Sequence, residues 1–119
     1  MITTVTLLTR RDDLGHDEFV DHYEHHHVPL VLSRAPAPDR YTRHYLPPRD
    51  QREDEADFDV VTTVSFADEE ARRSWLDLVL AEDSGVAEDE ARFLDRGRTR
   101  SWTVREFTGT TGSPVPAAP

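Results

Sequence analysis

Four of the six histidines of this 119-residue chain fall between positions 22 and 27, in the stretch HYEHHHVP. Imidazoles exchange protons near neutrality, ligate metals or solvate a polar face, and their spacing decides which of these is open. On a helix, His22 and His26 at i and i+4, or His22 and His25 at i and i+3, can hold zinc together. Tyr23 follows His22 where an H-E-x-x-H motif has its glutamate, and a third ligand would have to come from a distance. The chain is accordingly read with no metal and no cofactor, and metal binding by the cluster stands as a third possibility behind an enzyme and a binding module.

These histidines need a helix to position them. From Asp17 to about Leu32 apolar residues recur at helical spacing, and at 100° per residue Phe19, Val20, Tyr23, Leu30 and Val31 share one broad face. His27 falls inside that face, His26 on its edge, and His22 and His25 outside it. A titratable ring on an apolar face needs a hydrogen-bond partner or a cavity. His27 is either a satisfied core histidine or an acid–base residue, whereas His22 and His25 read as solvated neighbours near a helix C-terminus. Pro29 lacks an N–H and is expected to kink or end the helix.

Around this helix the pattern predicts a strand over 2–10, a second over 40–46 and a third over 58–66. In the second, Tyr41, Arg43 and Tyr45 share one face and Thr42 and His44 the other. A helix capped by Asp68 follows, with Ala71, Trp75, Leu78 and Val79 as its expected apolar stripe. A shorter helix over 86–94 leads to a last strand over 99–107. The charged stretch 47–57 reads as an exposed loop, and 108–119 as a disordered tail after a single domain spanning 1–107. One sheet covered by helices on one face accounts for this order, an α+β ferredoxin-like βαββαβ protomer. The uncovered face implies a dimer.

Composition removes several functions. All 14 basic residues are arginine, so lysine Schiff bases and the phosphate-loop lysine are absent, and 24 acids leave a net charge of −10, which disfavours nucleic acid. With no cysteine there is no thiolate chemistry. No G-x-S-x-G or G-x-G-x-x-G motif occurs, and the acidic runs DEAD at 54–57 and EDE at 88–90 read as solvated surface. The start of the chain has no basic segment ahead of an apolar core, and no stretch approaches a membrane span, so a soluble cytoplasmic protein is expected.

Three stretches together resemble the EthD family. Its first helix typically carries F-x-x-Y-W-x-x-x-H-x-P, and FVDHYEHHHVP supplies Phe19, His27 and Pro29, with His22 and Tyr23 in place of Tyr-Trp. Its Y-x-x-N-H strand is matched by YTRHY, where Tyr41 is in register and His44 and Tyr45 replace Asn-His. A stretch like DEARFIDRSRSR is met by DEARFLDRGRTR at 89–100. The resemblance implies a homodimeric α+β barrel of two ferredoxin-like protomers, with a cleft between helices and sheet. It further implies either a cofactor-independent enzyme of aromatic polyketide metabolism (cyclase, dehydratase, decarboxylase or oxygenase) or a non-catalytic small-molecule-binding accessory dimer. Carried over by position, His27 would be the helix histidine of that cleft. His27, His44 and Tyr45 are thus the expected catalytic residues, and Tyr23, His26, Arg43 and Trp75 the expected substrate-binding ones. Arg43 would steer an anionic substrate unless it pairs with the acidic loop.

Overall fold

In the structure, a computed structural model that describes residues 1–47, 58–107 and 109, the β-branched runs become a four-stranded antiparallel sheet. The central β1 (Ile2–Leu8) lies between β3 (Val60–Phe66) and β4 (Arg100–Val104), and β2 (Arg40–Tyr45) adds to the far edge of β3, giving the order β2-β3-β1-β4. This is the expected α+β, ferredoxin-like arrangement. The first strand stops at Leu8, with Arg10 making a lone bridge to Leu94, and the last strand is shorter than 99–107. The loop expected at 47–57 lies, apart from Pro47, outside the described residues, as does the tail expected at 108–119 apart from Gly109.

Register and strand alternation assign the two sheet faces. Tyr45 pairs with Val60, Arg43 with Thr62 and Tyr41 with Val64, while Thr62 pairs with Thr6 and Val60 with Leu8, so these residues line the face toward the helices. The opposite face carries His44, Val61, Leu7, Val5 and Trp102. At one end of it Arg40 on β2 bonds Glu106 beyond β4 at 2.8 and 2.9 Å, and Thr3 and Ser65, buried between those strands, share a 2.9 Å hydroxyl hydrogen bond.

The first helical segment departs from an ideal rod. It runs as α1 (His16–His22), a π-helical turn (Tyr23–His27) and α2 (Val28–Arg34), so it neither ends nor breaks at Pro29. The Val28 N–H bonds the Tyr23 carbonyl, five residues back. Such a widened turn just ahead of a proline loosens the ladder where the ring would otherwise crowd a carbonyl and delete a bond, and Pro29 then sits in the tolerant first turn of α2. At 100° per residue His22 and His27 would stand about 140° apart. The wider turn instead brings positions five apart onto one side.

Across the sheet, Asp68 caps α3 (Glu69–Val79) by accepting the Ala71 N–H at 2.8 Å. The inward stripe is Arg72, Trp75, Leu76 and Val79, whereas Ala71 and Leu78 are exposed. Both stripes obey helical spacing because they share Trp75 and Val79, and the structure chooses the one that places Arg72 and Leu76 at the cavity wall. Gly85, at φ +80°, makes the left-handed turn into α4 (Val86–Phe93). Ser84 fixes that junction, bonding the Val79 carbonyl at 2.8 Å and accepting the Val86 N–H at 3.2 Å.

Candidate active site

Phe93, fully buried on α4, holds the site together. Its ring packs against Phe19 at 5.8 Å, Tyr23 at 5.3 Å, and His22 and His27 each at 4.8 Å. One turn earlier, Asp89 is also fully buried, and its carboxylate is the focus of the histidine cluster. His27 Nδ1 donates to Oδ2 at 2.8 Å, and His22 Nε2 donates to Oδ1 at 3.0 Å. His26 Nδ1 lies 3.2 Å from that same Oδ1. His25 alone turns away, exposed and paired with Asp21.

The solvated reading thus holds for His25 and fails for His22, which the π-helical turn swings onto α4. The EDE run is also not a solvated face. Asp89 follows Val86 by three and precedes Phe93 by four, the spacing of one inward helical face, and only Glu88 of the three acids is exposed. That periodicity was the available signal for Asp89, together with its place at the head of DEARF.

Between sheet and helices lies a cavity of about 410 Å³, walled by aliphatic side chains of β3 and α3 and by Tyr23, His27, Tyr41, Trp75 and Glu90. Here the structure brings three expected residues together: His27, Tyr23 and Trp75. With Nδ1 committed to Asp89, Nε2 is the His27 atom left for a bound molecule. Burial lowers the imidazole pKa, and the Asp89 hydrogen bond and charge only partly oppose this, which favours the neutral ring. Burial pushes Asp89 up, but bonds from His27 and His22 outweigh it and keep the carboxyl below its usual range. Tyr23 donates to or accepts from Thr62 Oγ1 at 2.7 Å, and burial raises its pKa and that of Tyr41, leaving both phenols protonated. Glu90 is raised by burial as well. The indole N–H of Trp75 is buried with no partner among the described residues.

Four expected residues lie elsewhere. His44 is on the outer sheet face, where strand alternation puts it, and is exposed. His26 opens on the protein surface beside His22, their rings stacked at 4.7 Å. Arg43 is held by Glu24 through Nε at 2.8 Å and a second nitrogen at 2.6 Å, and Tyr45 donates its hydroxyl to the same carboxylate. Arg43 is therefore neutralised from the helix, and the acidic loop expected to pair with it lies outside the described residues. Arg43 and Tyr45 buttress the core beside the cavity without lining it.

A ferredoxin-like α+β fold with a histidine–carboxylate pair at the wall of a sheet–helix cavity is the class of protein these features define. The chain belongs to the EthD family: the EthD domain model matches residues 11–97. Among solved structures it is similar to an ethyl tert-butyl ether D (EthD) family protein from Bacillus halodurans C-125, at 16% identity over 90% of this chain and 100% of that one, with a TM-score of 0.61. At that identity the likeness fixes the fold alone. No curated protein matches the chain. Among the described residues no helix is long and apolar enough to cross a membrane.

Proposed function

We propose that the protein is a cofactor-independent enzyme of secondary metabolism that acts on an aromatic, polyketide-like small molecule by histidine acid–base catalysis, working as a cytoplasmic homodimer. The observation that carries this reading is His27 clamped by the buried Asp89 at the wall of a largely apolar cavity. A neutral imidazole oriented through Nδ1 by a carboxylate offers Nε2 as a base, and the carboxylate stabilises the imidazolium once a proton is taken.

In this mechanism Nε2 removes an acidic C–H or O–H proton, and the enolate or phenolate oxygen accepts a hydrogen bond from the Tyr41 hydroxyl or the unpartnered Trp75 N–H. Glu90, kept protonated more readily by burial, can return a proton to a departing hydroxyl, as dehydration requires. The carbanion so formed serves cyclisation, dehydration or reaction with oxygen, whereas in decarboxylation the departure of CO2 leaves the same carbanion, held by the same donors. Of the phenols expected at the site, Tyr23 is engaged with Thr62 and Tyr45 with Glu24. That engagement favours a second reading, a non-catalytic small-molecule-binding dimer.

A panel of polycyclic phenols and anthrones, screened for binding and turnover with the wild-type chain and His27→Asn, separates the two. The enzyme reading expects turnover to fall about 10²–10⁴-fold in the variant while affinity is kept. Binding without turnover in the wild type sinks the enzyme and leaves the binding module.

A further inference from the structure

His22 and His26 do not face the cavity. They open on a separate surface concavity bordered by Glu18, Asp21, His25 and Arg92. We propose that His22 Nε2, His26 Nδ1 and Asp89 Oδ1 form a binding site for a first-row divalent transition ion, of which zinc is the simplest probe.

The third ligand that the sequence pattern left open is supplied by α4. His22 Nε2 and His26 Nδ1 lie 3.0 and 3.2 Å from Asp89 Oδ1, and the three ligand atoms fall within 4.8 Å of one another. Donors at about 2.0–2.1 Å from a tetrahedral or octahedral ion stand about 3.0–3.4 Å apart, a spacing that both nitrogen–oxygen separations already show, and the two imidazoles would turn toward each other to complete it. Two imidazoles and one carboxylate suit zinc, iron, cobalt or nickel and not magnesium or calcium, which take oxygen ligands.

The support around the ligands is of the kind metal sites use. The other oxygen of Asp89 accepts from His27 at 2.8 Å, which fixes the carboxylate from behind. His26 is 60% exposed, which gives the ion an entry path and leaves coordination positions toward the concavity for water. Glu18 and Asp21 make that mouth attractive to cations. One contact opposes the ion: the Arg92 guanidinium lies 3.4 Å from Oδ1, but its side chain is 60% exposed and free to swing into solvent. The ion would tie the π-helical turn to α4 without entering the cavity, and the inference does not depend on His27 acting as a base.

The test uses the full, untagged chain, stripped with chelator and titrated with zinc by calorimetry, with cobalt absorption as a second readout. One ion per chain, a rise in thermal midpoint, and at least about tenfold weaker binding in both His22→Ala and His26→Ala are expected, with His25→Ala and magnesium as silent controls. Because Asp89 is buried, Asp89→Asn is interpreted only if its circular dichroism matches wild type, and the exposed His26 variant carries the test otherwise. Zinc affinity unchanged in His26→Ala, an equal loss in His25→Ala, or no binding below millimolar zinc overturns the site.

Discussion

His27 Nδ1 and Asp89 Oδ2 stand 2.8 Å apart with both side chains buried, so the imidazole is pulled two ways. Burial disfavours the charged ring and the carboxylate favours it, with burial the larger. In a metal-free NMR titration His27 should protonate below the ordinary value of about 6.5. Asp89→Asn removes the favourable partner and should move the midpoint lower still. A wild-type midpoint above that of a free imidazole would mean that the carboxylate dominates, and with it that His27 is not a neutral base at pH 7.

Phe93 touches four aromatic rings, including both His22 and His27. Truncation to alanine removes a fully buried aromatic and leaves a void, which costs about 3–5 kcal/mol. Denaturant unfolding of Phe93→Ala checks this, and Phe93→Leu, which keeps most of the volume, should lose clearly less. Equal losses in the two would show that the site collapses around the gap.

Much of this arrangement was legible before the structure, and what was missed has a physical cause. The sheet followed from β-branched runs, and the inward turn of His27 from the spacing of Phe19 and Tyr23. A projection at a constant 100° per residue cannot foresee a π-helical turn, so it sent His22 to solvent when the wider turn delivers it to Asp89. Asp89 itself looked like surface because its neighbours are acids, although Val86 and Phe93 marked its face as buried. Arg43 and Tyr45 were correctly placed on the helix-facing side of β2, but no local pattern tells that Glu24, some twenty residues earlier, takes both.

That Glu24 pairing makes stability depend on pH. The Arg43 hydrogen bonds hold the Glu24 carboxyl below its usual range, with burial opposing and the Tyr45 hydroxyl helping. A depressed folded pKa means that the unfolded chain binds the proton more readily, so the contribution is full above the unfolded value of about 4.3 and fades as pH falls through the lower folded one. Glu24→Gln should lower stability at pH 7 by about 1–3 kcal/mol and flatten the acid side of the profile. Urea midpoints at several pH values read both effects, and parallel curves for wild type and variant would rule out the linkage.

Trp75 and His44 should behave oppositely toward a cavity ligand. The Trp75 N–H is buried at the cavity wall without a partner, so Trp75→Phe keeps the apolar surface and deletes a donor. Binding of a phenol or quinone should weaken about fivefold, while that of an aromatic hydrocarbon of similar size holds steady, since a hydrogen bond is worth about 1 kcal/mol. His44, on the far side of the sheet, should give no change in either when replaced by alanine. A hydrocarbon that loses as much as the phenol would reduce the role of Trp75 to packing.

The outer face of the sheet bears on the proposed homodimer. Trp102 is 51% exposed there, in register with the half-buried Val5, and Leu7 and Val61 continue the apolar row toward β2. An uncovered apolar sheet face is a liability for a monomer, and a second copy of the same face is the simplest cover. Placing a charge at its most exposed member, as Trp102→Asp, should shift sedimentation from dimer toward monomer while leaving the helix-side core and His27 resonances in place, because the two faces share no side chains. A wild-type chain that sediments as a monomer at high micromolar concentration would remove the dimer from the proposal and leave the cavity as a single-protomer site.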